Sequence, residues 1–142
     1  MRRHAPGQEV KERTILQLRE LFPQRPEVQF ACILGSFLDA RTGFQDIDVG
    51  VWVNPSEISP ETALEYQWEL SAWLERSILY PIDVRVLNYS SLGFRHAASG
   101  GLLAFARDKE VWYNFREETW IQYLDFAPLA RQMLLDLLGA SP

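Results

Sequence analysis

The clearest pattern in the chain is the alternation of apolar and polar residues in DIDVGVWV, residues 46–53, where every second residue is Ile or Val. A period of two with β-branched residues predicts a β-strand with one buried face. The same period places Asp46 and Asp48 together on the opposite face. The preceding apolar stretch, VQFACIL (28–34), predicts a strand that is covered on both faces.

A second alternating stretch, IDVRVL (82–87), predicts a further strand. Its apolar positions face the core, and Asp83 and Arg85 lie on the open face. If this strand lies beside residues 46–53 in one sheet, Asp83 joins the two earlier aspartates. Asp83 and Arg85 are about 7 Å apart by strand rise, so an ion pair between them is not forced.

Helical spacing of apolar residues predicts the helices around these strands. A first amphipathic helix covers residues 8–22. A second is predicted to begin with Ser59 as N-cap and Pro60 at its first position, to carry Leu64 and Trp68 on its apolar stripe, and to reach about residue 77. Three elements follow: a short helix capped at Ser90–Ser91, an apolar strand over 102–106, and a helical C-terminal segment over about 110–138, which Pro128 either kinks or splits.

Composition limits the kind of protein and of function. A chain of 142 residues with 47% apolar and 23% charged residues is typical of one globular domain, predicted here as residues 1–142. The net charge of −5 disfavours a nucleic-acid substrate held on a basic surface. No apolar run has the length of a membrane span. The single cysteine, Cys32, lies in a predicted strand and cannot form an internal disulfide, so we expect a cytoplasmic location.

The aspartates carry the candidate chemistry. Three carboxylates on one open face, from Asp46, Asp48 and Asp83, repel one another unless a cation lies among them. Mg²⁺ is the natural candidate, because it prefers oxygen ligands and shares the phosphate oxygens of a substrate. Gly35-Ser36 follows the strand over 28–34 and opens a short helical segment, so its free backbone N–H groups offer a place for phosphate.

The spacing of these groups resembles a known family. Gly35-Ser36, a spacer of nine residues, Asp46-Ile47-Asp48 and then Asp83 on a later strand resemble the motif of the nucleotidyltransferase superfamily of DNA polymerase β. The motif core covers residues 28–87. The short chain and its C-terminal tail are similar to the minimal nucleotidyltransferases (MNT), the antitoxin partners of HEPN-domain ribonuclease toxins. Some members of that group inactivate the toxin by transferring AMP from ATP to a tyrosine hydroxyl.

The resemblance implies an α+β fold of the polymerase β palm type, in which a mixed β-sheet of about four strands packs with helices. It implies an enzyme that uses Mg²⁺ as cofactor and ATP as substrate, with a HEPN toxin as partner. The residues it implies as catalytic and metal-binding are Asp46, Asp48 and Asp83, and those it implies as nucleotide-binding are Gly35, Ser36 and Arg41.

Two other functions stay open at this point. The chain could neutralise a toxin by docking alone, through an aromatic C-terminal surface. It could also be a free-standing transferase that acts on a small hydroxylated molecule. Two roles also stay open for Arg85: it binds the triphosphate, or it only balances the negative charge of the carboxylates. The sequence does not define the acceptor, the nucleotide or the oligomeric state, and homo- and hetero-oligomers both remain open.

Overall fold

The structure is a computed structural model that describes residues 7–38 and 46–139. Two short 3₁₀ turns, Phe22–Gln24 and Leu87–Tyr89, connect its longer elements. None of the helices in the described ranges is long and apolar enough to cross a membrane. The elements are α1 (Gln8–Leu21), β1 (Val28–Ile33), α2 (Gly35–Leu38), β2 (Ile47–Val53), α3 (Ala63–Glu75), β3 (Ile82–Val86), α4 (Leu92–Ser99), β4 (Leu102–Ala106) and α5 (Lys109–Leu137).

The four strands form one mixed sheet in the order β3-β2-β1-β4. β1 pairs antiparallel with both β2 and β4, whereas β2 and β3 are parallel and are joined by the crossover helix α3. Parallel neighbours need such a crossover, and an antiparallel pair does not. The predicted α+β fold with a mixed sheet, packed helices and a helical C-terminal segment is therefore confirmed.

The alternation along β2 and β3 divides their side chains between two layers. The Ile and Val side chains of both strands are buried on one face, under α1 and α3. The other face holds a smaller aromatic core, in which Phe30 and Cys32 of β1 pack against Trp112 and Phe115 of α5. Asp48 and Asp83 lie on this second face, beyond the end of its apolar core.

The outer edge of β3 is closed by side chains of α3. Three acceptors spaced four residues apart along the helix meet three backbone N–H groups spaced two residues apart along the strand, since four helical residues and two strand residues cover nearly the same length. This pairing fixes α3 along the strand and removes a free sheet edge. The pairs are Ile82 N–H to Glu75 Oε1 (2.8 Å), Val84 N–H to Ser71 Oγ (3.2 Å) and Val86 N–H to Gln67 Oε1 (2.9 Å).

The helices differ from two of the predictions. The predicted start of α3 at Ser59 and Pro60 is wrong, because the helix begins at Ala63. The backbone N–H of Ser59 donates to Thr62 Oγ1 (3.1 Å), so residues 59–62 close as a turn before the helix. At the C-terminus, α5 continues through Pro128 as one helix, so the predicted split is wrong.

Candidate active site

The strand register brings two of the three aspartates together. Asp48 of β2 is the direct partner of Asp83 in the parallel strand β3. Paired residues in adjacent strands project to the same face of a sheet, so both carboxylates lie on one face. Their burial agrees with this, because both are half-buried while their neighbours along each strand are fully buried.

Asp46 stands at the entry to β2. The next residue, Ile47, starts the strand and donates its N–H to the carbonyl oxygen of Pro81 (2.9 Å), which fixes the entry beside the start of β3. Asp46 itself is exposed. It lies near enough to Asp48 to raise the pKa of that carboxyl.

The electrostatics of the aspartates are unfavourable in the protein alone. Burial raises the pKa of Asp48 above its ordinary value, and the negative charges of Asp83 and Asp46 raise it further. The positive charge of Arg85 acts in the opposite direction but does not outweigh them. A carboxyl group disfavoured in its charged form by like charges is stabilised by a cation placed among them.

Arg85 supplies only part of that charge. Its Nε lies 3.6 Å from Asp83 Oδ2, with the two side chains 53% and 43% exposed. Its guanidinium group also lies over the ring of Phe94, 5.0 Å from the centroid. The open alternative of an Asp83–Arg85 ion pair is therefore present, although an exposed pair of this kind contributes little stability.

The residues fit Mg²⁺ in chemistry, but their side chains are not arranged as a closed metal site. Among residues 7–38 and 46–139, no group of three or more His, Cys, Asp or Glu side chains is placed to hold a metal ion. Asp83 is directed toward Arg85 instead. The carboxylate oxygens of exposed Asp46 and of half-buried Asp48 and Asp83 are nevertheless the kind of ligand that Mg²⁺ takes, and a cation would relieve their mutual repulsion.

The phosphate-binding motif begins next to these carboxylates. Leu34 donates its N–H to the carbonyl oxygen of Asp48 (2.9 Å), so Gly35, the first residue of α2, lies beside the aspartate strand. A Cβ atom at Gly35 would meet no atom within 4 Å, so packing does not require glycine there. Close approach of a ligand to the backbone is a separate reason for glycine. The Ser36 side chain and Arg41 lie outside the described residues.

Sequence reasoning missed a cavity of about 460 Å³ between α3, β3 and α4, beside Asp83. Trp68 lines it and is 66% exposed, whereas the helical stripe predicted it to be buried. The buried positions of α3 were readable from their spacing of three and four residues, which leaves Trp68 outside: they are Ala63, Tyr66, Leu70 and Leu74.

Comparison with known families agrees with the motif and the fold. The family described as polymerase beta, nucleotidyltransferase matches residues 17–110, more than half of the chain. The chain therefore belongs to the polymerase β nucleotidyltransferase family. No curated protein gives a significant match.

Several solved structures share the fold over nearly the whole chain. One is a structure of a tri-AMPylated Shewanella oneidensis HEPN toxin in complex with MNT antitoxin, at 21% identity and a TM-score of 0.63, covering 94% of this chain and 100% of the other. A toxin–antitoxin structure with AMP-PNP gives 21% identity and a TM-score of 0.65 over 91% and 98% of the two chains. The MntA–HepT toxin–antitoxin structure gives 19% and 0.62 over 94% and 100%.

Proposed function

We propose that this chain is an MNT antitoxin that transfers AMP from ATP to a tyrosine hydroxyl of a HEPN ribonuclease toxin. The observation that carries the proposal is the placement of Asp48 and Asp83 as direct strand partners, with Gly35 at the end of the next strand. This arrangement occurs in a chain of the nucleotidyltransferase family. Similar folds occur in structures of toxin–antitoxin complexes, one of them with a tri-AMPylated toxin.

The proposed substrate contacts divide along the sheet. The backbone N–H groups at Gly35-Ser36 would receive the triphosphate, and Arg41 would add positive charge. Asp46, Asp48 and Asp83 would hold Mg²⁺, which when bound neutralises phosphate charge and makes the α-phosphorus a better electrophile. The raised pKa of Asp48 supports this role, because a cation would relieve the repulsion that raises it.

The reaction requires a base near the acceptor. The tyrosine oxygen attacks the α-phosphorus, the bond between that phosphorus and the bridging oxygen to the β-phosphorus breaks, and pyrophosphate leaves in line with the attack. The phenolic proton passes to a base, and Asp83 is the proposed acceptor of that proton. Asp83 is suited to this step because it lies on the outer strand, on the side of Asp48 away from Gly35.

A second candidate function, neutralisation of the toxin by docking alone, is favoured by the C-terminal half of α5. Residues 120–137 of this helix carry large apolar side chains that are about half exposed or more, including Leu124, Leu129 and Met133. Contiguous exposed apolar side chains of this kind mark a surface that contacts another protein. Docking through this helix end is compatible with catalysis and would also suffice without it.

The test is incubation of the purified chain with α-labelled ATP, Mg²⁺ and its proposed partner, a HEPN-domain protein. We expect label on a tyrosine of that protein, and none when Mg²⁺ is chelated. The docking-only function instead predicts a stable complex with no label on either protein. Protection of cells by a variant with Asp46→Asn and Asp48→Asn, at the level of the wild type, would also favour docking over transfer.

A further inference from the structure

We infer that the cavity between α3, β3 and α4 binds the aromatic side chain that carries the acceptor hydroxyl. This inference rests on the proposed function and deepens it. The cavity measures about 460 Å³ and borders Asp83 directly. Its walls include Trp68 of α3 and Phe94 of α4, and Arg85 of β3 also lines it, with its guanidinium group over the Phe94 ring.

The order of groups across the sheet places this cavity on the acceptor side. Gly35 follows β1, Asp48 lies on β2 and Asp83 on β3, and the strands are adjacent in that order. The cavity lies beyond β3, so it continues the same line outward. In phosphoryl transfer the attacking and leaving oxygens lie roughly in line through the phosphorus. With the leaving pyrophosphate at Gly35, the attacking oxygen lies at the opposite end of this line, at the cavity. The ribose is bonded to the α-phosphorus off this line, so it does not take that position.

The charge of the cavity favours a neutral ligand. Among the described residues that line it, Arg85 is the one cationic side chain, and it is already 3.6 Å from the carboxylate of Asp83. A triphosphate would need more positive charge than this pair leaves. A phenol brings no charge, and its hydroxyl group would lie at the end of the cavity where Asp83 stands.

The walls of the cavity are held in place before any ligand arrives. Gln67 and Ser71 of α3 accept backbone N–H groups of β3. Ser90 Oγ donates to the carbonyl oxygen of Val86 (2.8 Å), and Ser91 Oγ accepts the N–H of Phe94 (3.2 Å) at the start of α4. These polar side chains are therefore already hydrogen-bonded to the backbone. Binding pockets are usually preformed in this way, with few groups left for the ligand.

Trp68 is the side chain that the fold leaves for a ligand. It is 66% exposed, and it makes no hydrogen bond or ring contact with any residue in the described ranges. An exposed tryptophan at the mouth of a cavity provides a flat apolar surface against which an aromatic ring can pack. The other two aromatic side chains that line the cavity already have partners: the Phe94 ring carries Arg85 on its face, and the Tyr89 hydroxyl donates to the carbonyl oxygen of Ile58 (2.7 Å).

The kinetic experiment uses Trp68→Ala and a matched control, Tyr113→Ala, since Tyr113 is an exposed helical aromatic, 56% accessible, that does not line the cavity. Transfer from α-labelled ATP to the HEPN protein and to N-acetyl-L-tyrosinamide is measured. In Trp68→Ala we expect the KM for the tyrosyl acceptor to rise about tenfold, the scale of one lost aromatic pair. The KM for ATP should stay within about twofold, and the control should match the wild type.

A binding measurement keeps the inference testable without turnover. In ¹⁵N-labelled protein, N-acetyl-L-tyrosinamide should shift the indole N–H resonance of Trp68, which is assigned by its loss in Trp68→Ala. N-acetyl-L-alaninamide should not shift it. If the wild type labels no acceptor but tyrosinamide still shifts this resonance, the proposed transfer is wrong and the cavity remains an aromatic side-chain site.

Three results would overturn the inference. One is a raised KM for ATP in Trp68→Ala with an unchanged KM for the acceptor. Another is a shift of the Trp68 resonance by Mg²⁺ and ATP without acceptor. Each of these two results would assign the cavity to the nucleotide. The third is an unchanged acceptor KM together with no shift by tyrosinamide.

Discussion

Glu27 and Asp48 are both partly buried carboxylates at the sheet, and they differ in the charged groups that surround them. Glu27, just before β1, accepts hydrogen bonds from Arg25 Nε (2.8 Å) and from the Tyr66 hydroxyl (2.6 Å). Burial alone would raise the pKa of Glu27, but the hydrogen bonds from Tyr66 and Arg25 outweigh burial and lower it. Asp48 has acidic neighbours instead, and its pKa is raised.

In the Glu27 cluster, formed by Arg25, Glu27, Tyr66 and Glu69, the charged groups are paired with one another. Arg25 also pairs with Glu69 of α3 (Nη1 to Oε2, 2.9 Å), and its guanidinium group lies over the ring of Trp73, 4.9 Å from the centroid. Its contacts with Glu69 and Glu27 raise the pKa of Arg25 against the opposing effect of burial. Every charge in this cluster has a partner, so it stabilises the fold. The aspartate cluster is the one that gains from an added cation, which is why we assign function to it and not to the other.

The largest expected difference between the clusters is in activity. Asp46→Asn combined with Asp48→Asn should lower AMP transfer about a thousandfold or more, because loss of metal binding removes several kcal/mol of transition-state stabilisation. Glu27→Gln should leave the turnover rate within about threefold at temperatures where the protein is folded, since it lies outside the site. Labelled transfer to the HEPN protein measures both. Equal losses in the two variants would remove the functional distinction between the clusters.

A smaller difference between the clusters is expected in how far Mg²⁺ and ATP stabilise variants of each. Mg²⁺ with ATP at a hundredfold over the dissociation constant adds about 2.7 kcal/mol to the free energy of unfolding. The melting temperature should rise by roughly 5–15 °C for a domain of this size. Glu27→Gln should retain the full increase, and Asp48→Asn should lose most of it. An increase that persists in Asp48→Asn would place the bound cation elsewhere.

Removal of charge from the complete cluster should cost stability. We expect Glu27→Gln to lower the free energy of unfolding at pH 7 by about 2 kcal/mol, because hydrogen bonds to a charged group are weakened and Arg25 loses a partner. The folded-state pKa of Glu27 is lowered, so this contribution is present above the unfolded pKa of about 4.3 and is lost as pH falls through the folded value.

Urea unfolding at pH 7 and at acidic pH measures this change. Glu57→Gln is the control, because Glu57 is exposed and its substitution should alter stability by no more than about 0.5 kcal/mol. A loss in Glu27→Gln that is no larger than in the control would show that the Arg25 contacts contribute little.

The contrast between the clusters was only partly readable from the sequence. The alternation in β2 and β3 is local, so it gave the strand faces and the shared face of Asp48 and Asp83, and the register confirms that placement. The roles of these residues stay predictions. The Glu27 cluster joins residues 39 and 44 positions apart, which no local pattern relates.

The positions of side chains at the edge of the sheet were readable from the sequence only in part. The pairing of Asp83 with Arg85 depends on the rotamers of two half-exposed side chains, and strand spacing leaves it open. Trp68 has the apolar character of a core residue and a helical position close to the buried stripe. Its exposure follows from the docking of α3 along the edge of β3, where Gln67 and Ser71 face the strand.

The smallest expected effect has the opposite sign to that of Glu27→Gln. Without metal, Asp48→Asn should raise the free energy of unfolding at pH 7 by about 0.5 kcal/mol, the scale of a cross-strand pair of like charges. The folded-state pKa of Asp48 is raised by burial and by Asp83 and Asp46, so the folded protein favours the protonated form. That favourable contribution is complete below the unfolded pKa of about 3.9 and is lost as pH rises through the folded value. The stability advantage of Asp48→Asn should therefore shrink as the pH falls toward 4.

Denaturant unfolding in EDTA over this pH range, with the exposed Asp125→Asn as control, measures this advantage. A loss of stability in Asp48→Asn at pH 7 would mean that Asp48 already has a favourable partner in the protein, and the contrast with Glu27 would no longer hold.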